Sequence, residues 1–179
     1  MDNANSASSF GLGLRQGVVT LVDHNPAWGQ AFQLEAERLR AALGPAVLDI
    51  QHIGSTAIPA IQAKPILDLM LGIADFDRGP LLEPALAQLG YDYARNAGLP
   101  YDHVFGKGVA RTHLLHVVEH DGAQWHHKLR FRDRLLADPA LALAYQALKI
   151  RLAQEFADSR AGYTAAKQQF IDDIAAPRS

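Results

Sequence analysis

The sequence predicts an α+β domain: a mixed β-sheet packed by helices, with a helical C-terminal part. Three observations lead there. A helical pattern comes first, then several strand patterns, then a long helical stretch, so helices and strands are largely segregated along the chain. The run from Pro65 to Ile73 is almost wholly apolar and has the length of a central strand buried on both faces. Leu141, Tyr145, Leu148, Leu152 and Phe156 recur at helical spacing, which marks the C-terminal part as helical.

In chain order, a short strand is expected at Val18–Val22. Asn25 and Pro26 then supply a helix cap and a first helical residue. Trp28, Phe32 and Leu39 mark the apolar side of the helix that follows, and Glu35, Glu37, Arg38 and Arg40 suit its wet side. Gly44-Pro45 stops it. Val47–Ile53 alternates as a strand should, and a loop through Pro59 leads into the apolar run, where Asp68 is the only charge. A helix over 81–89 is expected to end at Gly90. Strand candidates rich in aromatic and β-branched residues follow at Tyr91–Ala94, Tyr101–Gly106 and Thr112–Glu119. Helix resumes near Gly122, is punctuated by the cap pair Asp138-Pro139, and closes with a segment carrying Tyr163, Phe170 and Ile174.

Composition narrows the function classes. With 179 residues, 49% hydrophobic and 20% charged, the chain is long enough for one domain with a full core. That domain is expected over 18–176, after a small, polar, flexible N-terminal tail at 1–17 that lacks the apolar stretch of a secretory signal. A formal net charge of −2 gives no global attraction to polyanions, so extended nucleic acid is not an expected partner, whereas a small phosphorylated molecule is. No apolar run reaches membrane-spanning length, and no membrane partner is expected. The absence of cysteine excludes a disulfide partner and thiolate ligands and fits a cytoplasmic location.

Any metal must therefore be held by His, Asp or Glu. Gly54 and Ser55 form a tight turn between two strands, of the kind that offers backbone N–H groups to phosphate, with Thr56 beside them. Asp68 follows on the next strand as a candidate ligand for a divalent ion, Mg²⁺ or Mn²⁺. In a strand Ile66, Asp68 and Met70 share a face, so Met70 stands where a second carboxylate would be most useful. His113 and His116 project to opposite faces of their strand, and His116 is the one assigned to Asp68's face. With His52, these residues would make a ligand set better suited to Zn²⁺ or Mn²⁺. Glu119 and His116 are the candidate bases. Lys64 is a candidate phosphate contact, as are Lys128 and Arg132, which lie four apart on one helix face, and the similarly spaced Arg130 and Arg134. A surface position is expected for Lys167 and a core position for Tyr163.

The segments LVDHNPAW, HIGSTAIP, AKPILDLML, THLLHVVE, the FRD of Phe131–Asp133 and YTAAKQQFI resemble the GrpB family, in the right order from Val18 to Ile174. The resemblance implies the fold of the nucleotidyltransferase superfamily, which includes DNA polymerase β and the aminoglycoside nucleotidyltransferases. It also implies a link to dephospho-CoA kinases, some of which carry a similar domain. In active members of that superfamily a Gly-Ser pair binds nucleotide phosphates and two acids separated by one residue bind two metals. Gly54, Ser55 and Asp68 match that pattern and Met70 departs from it. The functional expectation is a domain that binds a nucleotide or other phosphorylated small molecule with a divalent metal and transfers a nucleotidyl group. The alternatives are a non-catalytic phosphate-binding module and a metal-dependent hydrolase built on Asp68 and histidines.

Overall fold

The computed structural model describes residues 9–95 and 100–177. In order, the elements are α1 (Trp28–Leu43), β1 (Asp49–Ile53), β2 (Leu67–Ile73), α2 (Glu83–Gln88), β3 (Tyr91–Tyr93), β4 (His103–Lys107), β5 (His113–Glu119), α3 (Ala123–Ala137), α4 (Pro139–Glu155) and α5 (Arg160–Ala175). The five strands form one sheet in the order β1-β2-β5-β4-β3. β2 runs parallel to β5, and the other neighbours are antiparallel. The mixed sheet and the helical C-terminal part are as the sequence predicts.

The period-two alternation of the strands decides which side chains meet. Leu67, Leu69 and Leu71 of β2 face α1 and pack with Phe105, Leu115 and Val117 under Trp28, Phe32 and Leu39. The opposite face of β2 carries Asp68 and Met70. There Met70 packs with Ile53, Val118 and Trp125, the last from α3. α3, α4 and α5 form a third layer around Phe131, Leu135, Tyr145 and Ala175, joined by Ile58 and Ile61 from the loop before β2.

Local chemistry sets the helix ends. The Asp138 carboxylate accepts from the Leu141 amide at 3.0 Å with Pro139 as the first residue of α4, and Ser159 caps α5 by accepting from Gly162 at 3.2 Å. Arg130 and Arg134 of α3 donate to the carbonyls of Ala175 and Ile174, placing two cations at the negative end of α5. This occupies the Arg130 and Arg134 pair with holding a helix end.

The structure departs from the sequence reading in several places. α1 starts at Trp28 rather than at Pro26, with Asn25 accepting from the Ala27 amide at 3.0 Å just before it. Val18–Val22 is not a strand; Val22 makes a single bridge to Ala63. Residues 76–82 form a 3₁₀ segment with Pro80 inside it, so the α-helix expected from 81 starts at Glu83. The tail expected at 1–17 is docked from Phe10 onward: the Phe10 carbonyl accepts from Asn25 and Trp28, Leu12 and Leu14 are buried, and Leu14 bridges Arg111. Residues 1–8 lie outside the described residues.

Glu35 is a further correction. It is not on a wet face but buried beneath the sheet, where Lys107 Nζ donates to it at 2.6 Å and the Tyr91 hydroxyl at 2.9 Å. Burial pushes its carboxyl up, but Lys107 and His113 outweigh that and hold it below the usual range. His113, on the same face, is pushed down to about 4 by burial and is neutral at pH 7. Replacing Glu35 with Ala would leave Lys107 buried without its carboxylate, a loss of about 3–5 kcal/mol. Urea unfolding of Glu35→Ala against wild type measures it.

Candidate functional site

β1 ends where β2 begins, so the turn after Ile53 lies over Asp68, its partner in the ladder. Gly54 has φ +67°, and a Cβ there would stand 2.4 Å from Asp68 Oδ2. The glycine is therefore required twice, by its backbone conformation and by the carboxylate packed against it. Ser55, next in the turn, shares a hydrogen bond with the Tyr145 hydroxyl of α4.

β5 lies on the other side of β2. Its register sets Leu114 beside Asp68 and His116 beside Met70. His116 thus shares Asp68's face, with Nε2 3.9 Å from Asp68 Oδ1, while His113 takes the opposite face. On its other side His116 Nδ1 donates at 2.8 Å to Asp102 Oδ2, a residue the sequence reading did not single out. Lys128 Nζ of α3 donates to the same oxygen at 3.0 Å. Burial raises Asp102, but His116 and Lys128 overcome it and hold the carboxyl far below its ordinary range. Burial lowers His116, yet the Asp102 carboxylate beside it prevails and raises it. For Asp68, burial is outweighed by His116, Lys64 and Lys167, and the carboxyl is held low.

Near Asp68 lie cations from the loop and from α5, with Lys149 of α4 beside Lys64 and Lys167. Lys64 Nζ and Lys167 Nζ lie 5.3 and 4.5 Å from the centre of the Tyr163 ring. Lys149 is buried, donates to the Gln62 carbonyl, and lies 5.0 Å from the centre of the Tyr145 ring. Burial pushes Lys64 down to about 8, with Lys167 adding to the effect and Asp68 opposing it. Burial likewise brings Lys167 to about 8 and Lys149 to about 7. Arg160 is lowered by burial too, and it feels the Asp68 charge. Its buried Nε and the buried Tyr163 hydroxyl have no hydrogen-bond partner among the described residues. Lys167, expected at the surface, is instead half-buried over the Tyr163 ring and feels the Asp68 charge; the Tyr163 to Lys167 spacing of one helical turn was its signal.

Other sequence candidates fall elsewhere. His52 is on the α1 face of β1, stacked 4.9 Å from Phe32, because it is an odd number of residues from Ile53, which shares Asp68's face. Its Nε2 meets Thr56 Oγ1 at 2.9 Å, so Thr56 is committed to the turn's interior rather than to a ligand. Burial lowers His52 to about 4. The set Asp68, His116 and His52 is thus not assembled, and among the described residues no group of three or more His, Asp or Glu is spaced to hold a metal. The hydrolase reading loses its third ligand with it. Glu119 is exposed at the end of β5, beside Ile73 on the α1 face, and is not near Asp68. Arg132 Nη1 donates to Gln51 Oε1 at 2.9 Å and to the His52 carbonyl at 3.0 Å, clamping β1. No helix among the described residues is long and apolar enough to cross a membrane.

Comparison with known proteins shows the family and the fold. The GrpB protein family model matches residues 18–176. The chain belongs to the GrpB family. The glutamate-rich protein GrpB of Alkalihalophilus pseudofirmus is 37% identical, over 91% of this chain and 97% of that protein. The crystal structure of conserved protein GrpB from Enterococcus faecalis superposes with a TM-score of 0.79 at 35% identity, covering 87% of this chain and 94% of that one. Terminal uridylyl transferase 4 of Trypanosoma brucei, solved with dUTP, shares the fold at a TM-score of 0.52 and 13% identity, over 86% of this chain and 50% of that one. A dephospho-CoA kinase of Mycolicibacterium paratuberculosis is 28% identical over 87% of this chain, which spans only 44% of that longer protein. The GrpB chain therefore has a nucleotidyltransferase-like fold.

Two outcomes test the site. Gly54→Ala forces a conformation nearly reserved for glycine and displaces Asp68, at a cost of about 1–3 kcal/mol in thermal or urea unfolding. The lysines predict a stability that rises with pH, as in acid unfolding, but in a separate window on the alkaline side. Their folded values of about 7 and 8 lie below the 10.5 of the free side chain, so above pH 7 the unfolded chain holds more protons. Stability contributed by these groups then rises with pH from about 7 to 10. The urea midpoint of wild type is expected to rise across that window, and Lys167→Met to flatten the rise.

Proposed function

We propose that this GrpB domain binds a phosphorylated small molecule of several negative charges in the cleft between Asp68 on the sheet and the cations of α4, α5 and the loop before β2. The observation that carries the reading is the convergence of Lys64, Lys149, Lys167 and Arg160; burial lowers all three lysines, and neighbouring cations lower Lys64 and Lys149 further. Desolvated like charges repel strongly, and a polyanion between them relieves both the repulsion and the desolvation. The partnerless Arg160 Nε and Tyr163 hydroxyl are donors of the kind that phosphate oxygens satisfy.

Among phosphorylated molecules a nucleoside triphosphate is the favoured ligand, because a transferase of uridylyl groups shares the fold. In this reading Lys64, Lys167 and Ser55 hold the phosphates, and Asp68 carries a divalent ion that offsets their charge. Nucleotidyl transfer would pass the α-phosphoryl group to an acceptor hydroxyl with release of pyrophosphate. A binding module without transfer is the second reading, and Met70 favours it: its thioether is buried among Ile53, Val118 and Trp125, where a two-metal site would need a carboxylate.

Calorimetry with inorganic tripolyphosphate and with each nucleoside triphosphate tests the proposal. Binding is expected in wild type, with at least a tenfold loss in Lys64→Ala and in Lys167→Ala. At a hundredfold excess over Kd the wild type should gain about 2.7 kcal/mol of stability. Absence of binding by wild type to any of these anions would remove the reading, and pyrophosphate release with Mn²⁺ or Mg²⁺ separates transfer from binding alone.

A further inference from the structure

Asp102 is the most deeply buried carboxylate beside the cleft. Its side chain is 2% exposed, against 28% for Asp68 and 18% for His116. Asp102 is thus not open to a ligand, whereas Asp68 and His116 both are. A carboxylate buried to this degree costs several kcal/mol unless it is paired. Lys128 at 3.0 Å and His116 Nδ1 at 2.8 Å both pair with Asp102 Oδ2, while its buried Oδ1 has no hydrogen-bond partner among the described residues. The bond from His116 Nδ1 also acts on orientation: it fixes the ring and keeps the Nδ1 proton in place, which turns Nε2 toward Asp68.

The arrangement of carboxylate, imidazole and an outward-facing ring nitrogen is the one that serves imidazole ligands of divalent ions, since the carboxylate behind the ring sets its tautomer and raises its basicity. Nε2 and Asp68 Oδ1 stand 3.9 Å apart, within the reach of one ion with bonds of about 2.0–2.2 Å to each. On binding, the ion replaces the proton that Nε2 carries in the imidazolium. Two donors do not complete a coordination sphere. Met70 offers no oxygen, and the side chains across the cleft are cations. The remaining positions must be filled by water and by oxygens of the anion that Lys64 and Lys167 hold, and both lysines feel the charge of Asp68.

We infer that Asp102 is a positioning residue that aims His116 Nε2 at Asp68, making a two-donor seat for one borderline divalent ion, Mn²⁺ or Zn²⁺, which the phosphate oxygens of the ligand complete. The inference rests on the anion-binding reading and names the metal half of the same cleft. One carboxylate with one imidazole favours these ions over Mg²⁺, which prefers an all-oxygen shell. Metal and phosphate bind cooperatively, because each supplies what the other lacks.

The test is Mn²⁺ bound to the full chain, followed by pulsed electron paramagnetic resonance with and without inorganic tripolyphosphate. A nitrogen coupling from one directly bound imidazole is expected in wild type with tripolyphosphate and is lost in His116→Gln. Asp102→Asn is expected to weaken Mn²⁺ recruitment about 10–100-fold, while metal-free tripolyphosphate binding, read by calorimetry, changes less than twofold. A wild-type spectrum without nitrogen coupling overturns the inference with no variant needed, and so does wild-type Mn²⁺ affinity in a folded Asp102→Asn. If tripolyphosphate binds without metal and Mn²⁺ shows no nitrogen, the anion site stands and the metal seat falls. If tripolyphosphate does not bind, both fall.

Discussion

A charged carboxylate in the most apolar strand of the sheet is the constraint around which this molecule is built. Asp68 stands between two leucines in β2 and must remain ionised near a core that would otherwise penalise it. The surroundings meet that demand from several sides. Gly54 withholds a Cβ so that the β1 turn can close over the carboxylate. His116 approaches from β5, and Lys64 and Lys167 act on it from the loop and from α5. Sheet order and helix placement both serve this residue.

The two faces of the sheet handle buried charge differently. On the α1 face Glu35, Lys107 and Tyr91 form a closed set in which the carboxylate accepts from both partners. It is a structural network, satisfied within itself and sealed under a helix. On the other face the cations around Tyr163 exceed the carboxylate that faces them, and donors remain without acceptors. A satisfied network specifies a fold, whereas an unbalanced one at a cleft points to a ligand of opposite charge.

The last two helices matter to the cleft as much as the sheet does. α4 brings Tyr145 and Lys149, and α5 brings Arg160, Tyr163 and Lys167. Their position depends on ordinary packing: in the third layer Phe131 meets Tyr145 edge-on and Phe170 stacks on it, and two arginines of α3 hold the end of α5. A fault in that packing would move the cations away from Asp68 without touching the sheet.

Much of the architecture was legible before any coordinates. A continuous apolar run of strand length placed β2, and aromatic and β-branched content placed β5, because both are local signatures of a buried pleated strand. The Asp138-Pro139 pair placed the start of α4 for an equally local reason, a cap bonding within one turn. The choice of His116 over His113 followed from parity along a single strand. Parity within one strand cannot say how another strand is registered against it, and so His52 was assigned to the wrong face. Docking of Phe10 to Leu14 and burial of Glu35 were hidden for the same reason: their partners, Arg111, Lys107 and Tyr91, are distant in the chain. Asp102 looked like any polar residue near a turn until the fold set it against His116 and Lys128. By itself the sequence determined the α+β class, the GrpB family, the central strand and the carboxylate within it, since these rest on local periodicity and short motifs. Only the tertiary structure decided which charges share the cleft, because burial and electrostatic coupling depend on distances between segments that the chain order does not encode.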